Sequence, residues 1–298
     1  MSSSAFKAGY VTLIGLPNAG KSSLWNALIG EKLAAVTNKP QTTRHRIPGL
    51  IHGPGYQIIL SDTPGVLDRV AYRLQERLMN YIYETLEDSD LFLLVYDASQ
   101  TLQHHKALEQ FRSHFTPNNS LVVLNKWDIA KPAVEQQIVS YWQKLPLVKT
   151  SVLTGLGLEE VKSWMIQHLP EHPPYYDTDS DLSTLSLRFF VSEIIREKIF
   201  LNYMDEVPYA CHVEVDSYEE KPEIHRISAT IYVERESQKA ILIGHQGQAL
   251  KKLGIQARQE IEALVGTQVF LSLTVKVAEG WRSQDRYLKK FGYFRAPI

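Results

Sequence analysis

The sequence predicts an α/β first domain with a largely parallel sheet, joined to a smaller α+β second domain. Three observations predict it. From residue 9 to 169, apolar runs of strand length alternate with helix-like segments. A glycine-rich loop lies where the first strand should hand over to the first helix. A proline-bearing polar stretch, 170–183, then separates this pattern from one with a different order of elements. The predicted boundaries are 1–170 for the first domain, 171–184 for the linker and 185–298 for the second domain.

Strands are predicted at Tyr10–Gly15, Ile58–Leu60, Leu91–Tyr96, Leu121–Leu124 and Leu145–Val148. Helices are predicted near 21–30, 73–87, 103–114, 133–143 and 157–168. In such a sheet, ligands bind beyond the carboxyl ends of the strands. The linker holds Pro170, Pro173 and Pro174. Asp177, Asp179 and Asp181 have the spacing of a calcium loop. Leu182 stands where that loop needs glycine and Arg188 where it needs glutamate, so calcium is rejected. In the second domain a helix at 186–203 carries Leu187, Val191, Ile194, Ile195 and Ile199 on one face. Strands at 209–217 and 224–234, a helix at 237–243, a helix at 247–265, a strand at 269–277 and a helix at 281–290 follow.

Bulk charge predicts no partner, because the net charge is −1. Its distribution is more informative. Residues 171–236 hold six Lys/Arg against fifteen Asp/Glu, and residues 237–298 hold ten against four. A basic end on a neutral chain fits a localised anionic partner. The single cysteine, Cys211, excludes a disulfide framework and a cysteine-rich zinc site, and it reads as a small packing residue. No apolar stretch approaches the roughly 20 residues of a membrane span, and the N-terminus has no signal-peptide core.

The chemistry is concentrated in four short motifs. Gly15-Leu16-Pro17-Asn18-Ala19-Gly20-Lys21-Ser22, with Ser23 behind it, matches the phosphate-binding loop G-x-x-x-x-G-K-[ST]. Its glycines let backbone N–H groups curl around phosphates at a helix N-terminus. Lys21 can reach the β- and γ-phosphates, and Ser22 can ligate Mg²⁺. Asp62-Thr63-Pro64-Gly65 follows about 40 residues later, with Asp62 placed for Mg²⁺ and the Gly65 amide for the γ-phosphate. Asn125-Lys126-Trp127-Asp128 follows a buried strand. A carboxylate at Asp128 can accept from guanine N1–H and the 2-amino group, a donor pair adenine lacks, so the motif implies GTP rather than ATP. Asn125 would brace the loop and the Lys126 stem would cover the base. Thr150-Ser151-Val152 is the weakest of the four. Val152 stands where alanine is usual, which a contact made by a backbone amide tolerates.

Together these residues resemble the translation-factor-like GTPases. Pro40-Gln41-Thr42-Thr43-Arg44-His45-Arg46 resembles their first switch segment, where one threonine joins Mg²⁺ in the GTP state. The resemblance leaves Thr42 and Thr43 both open and favours Thr43. Position 66, which in small Ras-like GTPases holds a water-orienting glutamine, is Val66. Slow intrinsic hydrolysis is therefore expected, carried by Lys21, Thr43 and Asn18. Asn18 either braces the loop turn or, as in related GTPases, helps hold a K⁺ ion near the phosphates.

In the second domain, Ile243-Gly244-His245-Gln246-Gly247 is a Gly-x-x-Gly turn followed by Lys251, Lys252 and Arg258. The order helix–strand–strand–helix–turn–helix–strand matches a type II KH domain, whose turn clamps single-stranded nucleic acid. Arg282, Arg286, Lys289 and Lys290, interleaved with Trp281, Tyr287 and Phe291, read as added RNA-facing charge.

Over nearly its whole length the chain resembles the Era family of bacterial GTPases, in Lys39–Arg46, in Arg188–Phe200 and in Gly254-Ile255-Gln256-Ala257-Arg258. The resemblance implies GTP/GDP exchange with Mg²⁺ and binding of the 3′ end of 16S ribosomal RNA on the 30S subunit. It further implies a role in small-subunit maturation by a cytoplasmic monomer, with peripheral contact at the cytoplasmic face of the inner membrane. Gln246 departs from the family's usual lysine. The competing reading is a regulatory module whose KH-like domain no longer reads RNA. The single phosphate loop and the intact Gly-x-x-Gly argue against it.

Overall fold

The computed structural model describes residues 5–177 and 182–294, and of 102–106 the backbone alone. Asp179 and Asp181 of the rejected calcium segment lie outside the described residues. The first domain is a six-stranded sheet in the order β2-β3-β1-β4-β5-β6. Its strands are β1 (Lys7–Ile14), β2 (Ile47–Gly53), β3 (Tyr56–Asp62), β4 (Leu91–Asp97), β5 (Ser120–Asn125) and β6 (Leu147–Lys149). Every neighbouring pair is parallel except β2 with β3. Helices α1 (Lys21–Ile29), α2 (Arg73–Asp88), α3 (Val134–Trp142) and α4 (Leu158–His168) alternate with the strands.

The central strands are buried on both faces and therefore read as continuous apolar runs. Alternate residues of β4 divide between two cores. Leu91, Leu93 and Val95 pack with α1 and α4, while Phe92, Leu94 and Tyr96 pack with α2 and α3. Strand β2 was not anticipated. Pro48 and Gly49 break its alternation, and it is an edge strand, the place where a sheet tolerates proline. The segment predicted as a helix at 103–114 is a 3₁₀ run, Leu102–His114.

The second domain is a three-stranded sheet, β7-β8-β9, with β7 (His212–Glu219) antiparallel to β8 (Ile224–Val233) and β9 (Gln268–Val277) parallel to it. Helices α5 (Leu187–Asn202), α7 (Glu236–Ile243) and α8 (Gln248–Val265) cover one face. Two expectations are corrected. The strand predicted from residue 209 begins at His212, because Val207–Ala210 forms one short helix, α6, with Pro208 in its first turn. The helix predicted at 281–290 is a 3₁₀ turn, Trp281–Ser283, followed by α9 (Asp285–Lys290). Cys211 is buried as expected, and burial pushes its thiol up to about 12.

The linker is pinned to the first domain. Leu50 N–H donates to the Leu182 carbonyl at 2.8 Å and Ser183 Oγ donates to the Pro48 carbonyl at 2.5 Å, so these outward groups of the edge strand are covered, while Gln57 Oε1 on β3 accepts from Tyr175 N–H at 2.7 Å. The domains also share a core. Leu74, Leu78 and Tyr81 of α2 pack with Tyr232, Trp281, Phe291 and Tyr293. The aromatics interleaved at 281–291 thus serve packing rather than RNA: Trp281 is fully buried and its indole N–H donates to the Ala210 carbonyl at 2.7 Å. Arg282 pairs with Glu234, and Lys290 lies 3.4 Å from Glu214, which leaves Arg286 and Lys289 as the exposed cations of that group without a carboxylate partner among the described residues.

Candidate functional site

At the carboxyl ends of the parallel strands lies a cleft of about 340 Å³ lined by Asn18, Lys21, Ser22, Thr43, Gly65 and Lys126 among others. Strand β1 delivers Gly15 to the loop and α1 begins at Lys21. Gly20 has φ 89°, and a Cβ there would run into the Asn125 amide, so glycine is required on both counts. A Cβ at Gly65 would lie 2.5 Å from the Pro17 nitrogen, which is why the second motif can close on the first only through glycine. Leu16 and Ala19 complete the loop, with the Ala19 N–H donating to the Leu16 carbonyl at 3.3 Å.

Lys21 is nearly buried and donates to the carbonyls of Gly15 at 3.0 Å and Leu16 at 2.9 Å. Burial holds its ammonium down to about 8, and the nearby Asp62 carboxylate works in the opposite direction. Ser22 Oγ donates to Asp62 Oδ2 at 2.6 Å and lies 2.9 Å from Thr43 Oγ1, which is itself 3.2 Å from Asp62 Oδ2. Thr42 faces elsewhere: its hydroxyl meets Thr37 Oγ1 at 2.6 Å and donates to the Lys39 carbonyl at 2.9 Å. Of the two threonines left open by the sequence, Thr43 is the one beside Ser22 and Asp62. Asp62 Oδ1 is buried without a partner among the described residues, and burial pushes this carboxyl up. Thr63 and Pro64 are buried behind it, with Thr63 Oγ1 donating to the Leu13 carbonyl at 2.6 Å. Val66 is buried in the core beside Ile14 and Met79, so nothing at that position reaches the cleft.

The base-facing motifs converge at one side. Asn125 Nδ2 donates to the Ala19 carbonyl at 3.2 Å, and its Oδ1 accepts from Thr150 Oγ1 at 3.2 Å. Lys126 Nζ bridges the Asn18 carbonyl and Asp97 Oδ2, both at 2.7 Å. Asp128 accepts from Ser151 Oγ at 2.6 Å. The Ser151 N–H is committed to the Leu156 carbonyl at 3.1 Å, which it does not share with the neighbouring Val152 amide. Asp97, Ser99, Lys39 and Gln41 also line the cleft and were missed by sequence reasoning. Asp97 carried a signal, since it ends a buried parallel strand at its ligand-binding end.

The Gly-x-x-Gly turn joins α7 to α8. Gly244 and Gly247 have φ of 70° and 78°, and Gln246 is also left-handed at 49°. Ile243 is half-buried, whereas His245 and Gln246 are exposed. A second cleft, of about 390 Å³, brings Gly247, Lys251 and Arg258 together and adds Ile255, Leu271 and Leu273. Lys252 does not line it, and Arg258 is partly engaged by Glu262 at 3.2 Å.

Between the two clefts, the second domain grips the segment that carries Thr43. Arg196 donates to the Thr42 carbonyl while paired with Glu193, and Lys39 Nζ donates to the Phe200 carbonyl at 2.6 Å. Arg44 caps the end of α6, donating to the carbonyls of Cys211 at 2.7 Å and Tyr209 at 2.9 Å. Glu197 Oε1 accepts from the Val36 N–H at 2.9 Å. These groups lie on both sides of Thr43 in sequence.

Comparison with known proteins agrees with this geometry. Residues 10–126 match the family described as 50S ribosome-binding GTPase, and residues 206–282 match the KH domain. The chain is 42% identical over 294 residues to the chloroplastic GTPase ERA-like protein of Arabidopsis thaliana, covering 96% of this chain and 69% of that one. A variant of Era from Aquifex aeolicus bound to GDP·AlF4⁻ superposes with a TM-score of 0.90 at 34% identity, over 97% of this chain and 99% of that one. An Era in complex with MgGDPNP and nucleotides 1506–1542 of 16S ribosomal RNA gives the same TM-score, identity and coverage. GTPase Era of Geotalea uraniireducens is 41% identical over 300 residues, 98% of this chain and 100% of that protein. A likeness of that extent, running through both domains over nearly the whole length, makes the chain a member of the Era family of GTPases.

Proposed function

We propose that the chain is a GTP-hydrolysing switch that binds the 3′ end of 16S ribosomal RNA through its second domain and assists maturation of the small ribosomal subunit. The observation that carries this reading is the set of contacts tying the segment around Thr43 to the second domain: Arg196 donates to the Thr42 carbonyl, and Lys39 and Arg44 donate to the carbonyls of Phe200 and Cys211. Any change that moves Thr43 must break or shift contacts to the domain that carries the RNA cleft. Ser22, Thr43 and Asp62, with the unpartnered Asp62 Oδ1, fit a hard divalent cation such as Mg²⁺. Bound there, Mg²⁺ would neutralise phosphate charge. Lys21 and the loop amides would hold the β- and γ-phosphates, and Asp128 would select guanine. The reading places the chain with ribosomes in the cytoplasm, acting as a monomer. Contact with a membrane surface would be peripheral, since among the described residues no helix is long and apolar enough to cross a membrane.

In the described arrangement the RNA cleft is open, and α8 meets the first domain through Glu260 and Lys32 at 2.5 Å. Because the segment that carries Thr43 is tied to the second domain, affinity for RNA corresponding to the 16S 3′ end should differ between GMPPNP and GDP, by about 5- to 150-fold for a coupling of ordinary size. Arg44→Ala should shrink that ratio toward one. Equal RNA affinity in the two nucleotide states of the wild type, measured by fluorescence anisotropy, would sink the switching claim.

Asn18 Nδ2 donates to the Asn38 carbonyl at 2.8 Å, which leaves its Oδ1 available to a cation. This supports K⁺ as an activator, because an added positive charge beside the phosphates would stabilise the charge developed in hydrolysis. Turnover should be faster in K⁺ than in Na⁺ at equal ionic strength, and Asn18→Ala should remove the difference. Equal rates in both salts would reject it.

A further inference from the structure

The hydrolytic water has no glutamine from position 66, because Val66 is packed in the core. A glutamine reaches the cleft by another route. Gln41 lines it together with Lys21, Ser22, Thr43 and Gly65, the residues that mark the γ-phosphate end. Its backbone sits at φ 60°, a left-handed region in which the Cβ of most residues crowds the following carbonyl. Such strain persists only where surrounding contacts hold it, and it concentrates at functional sites.

Those contacts fix the direction of the Gln41 amide. Gln75 on α2 is buried, and its Oε1 accepts from the Ala71 N–H at 2.8 Å. A backbone N–H can only donate, so Gln75 must present its Nε2 on the other side. That group donates to Gln41 Oε1 at 3.2 Å. Gln41 Oε1 therefore faces Gln75 with one lone pair still free, and Gln41 Nε2 has no partner among the described residues. A relay of two side-chain amides thus runs from the start of α2 to the wall of the nucleotide cleft.

We propose that Gln41 orients the attacking water in GTP hydrolysis, with Gln75 as its positioning residue. The inference rests on reading the cleft as the GTP site. The water oxygen forms a bond to the γ-phosphorus, the bond to the β,γ-bridging oxygen breaks, and GDP leaves with that electron pair. A water proton passes to a γ-phosphate oxygen. The free lone pair on Gln41 Oε1 accepts from the water and turns its oxygen toward phosphorus. Nε2 donates to a γ-phosphate oxygen as charge builds on it. An amide is no base at neutral pH, so the contribution is orientation and charge stabilisation.

The alternative is a latch that merely holds the switch segment against α2. Gln41→Gly separates the two, because glycine suits φ 60° and keeps the backbone while removing the amide. Gln41→Ala is the second variant. The measurements are single-turnover GTP hydrolysis, affinity for GMPPNP, and the gain in GDP affinity produced by aluminium fluoride, which mimics the transferred phosphoryl group. Both Gln41 variants should lose at least about tenfold in rate and in the fluoride-dependent gain. GMPPNP affinity should stay within about twofold. Gln75→Leu should fall between them and wild type. A wild-type rate and fluoride gain in Gln41→Gly would overturn the proposal. So would a loss of GMPPNP affinity equal to the loss of rate, which is the mark of a latch. Failure of the pocket reading would show separately, as an unchanged base preference in Asp128→Asn, where Gln41 is intact.

Discussion

Asp128→Asn is expected to weaken GTP binding by about 10²-fold or more and to make xanthosine triphosphate the better ligand. The carboxylate is held by Ser151 Oγ at 2.6 Å, and Asp128 is otherwise exposed to solvent. Guanine offers it two donors, N1–H and the 2-amino group. An asparagine amide turns one acceptor into a donor, so one guanine N–H meets another and both lose their partner. Each buried donor left unpaired costs about 1–3 kcal/mol, and sites built on such pairing discriminate strongly. Xanthine carries a carbonyl where guanine carries the amine, which restores the match. The fold should tolerate the change, because Ser151 can donate to the asparagine oxygen as it does to the carboxylate. Competition of GTP and xanthosine triphosphate against a labelled analogue checks this. An unchanged preference would remove Asp128 as the base reader and with it the reading of the cleft as guanine-specific.

The parts of this molecule that were legible in the sequence are those whose chemistry is local. The phosphate loop, Asp62, the Asn125–Asp128 segment and the Gly-x-x-Gly turn each depend on a few adjacent residues whose backbone conformation the residue types dictate. The central strands were legible because burial on both faces leaves apolar runs such as Leu91–Tyr96. What was not legible depends on partners distant in sequence. Strand β2 has Pro48 and Gly49 in its middle and is held by β3 on one side and Leu182 on the other. Tyr209 and Ala210, read as the start of a strand, instead end the short helix Val207–Ala210, whose end is capped by Arg44. Trp281 and Phe291 read as RNA-facing aromatics, but α2 of the other domain supplies the apolar surface that buries them. Gln41 was legible only as part of the first-switch resemblance, and nothing in the sequence pointed to its hydrogen bond with Gln75, 34 residues away.

The second large effect is expected at Gly247, where aspartate should reduce affinity for the 16S 3′-end RNA by about 10²-fold and leave GTP hydrolysis near the wild-type rate. The fold should tolerate aspartate at this position. Gly247 has φ 78°, a region aspartate enters more readily than most residues, and a Cβ there meets nothing within 4 Å. It is also the N-cap of α8, which has no side-chain cap, so the carboxylate can accept from an N–H of the first turn and offset much of the backbone cost. The same position lines the second cleft beside Lys251 and Arg258. A fixed negative charge there stands where an RNA phosphate must approach the helix N-terminus, and like charges brought together on binding cost several kcal/mol. The nucleotide cleft lies in the other domain, so hydrolysis without RNA should be untouched. Gly247→Asn separates charge from shape: it shares the φ preference and the capping ability without the charge, and it should retain most of the RNA affinity. Thermal unfolding of all three proteins checks that the fold is equal. If Gly247→Asp bound the RNA as tightly as wild type, the cleft along α8 would not be where the RNA backbone lies. If Gly247→Asn were as defective as Gly247→Asp, the turn would act through its backbone shape and the charge argument would fall.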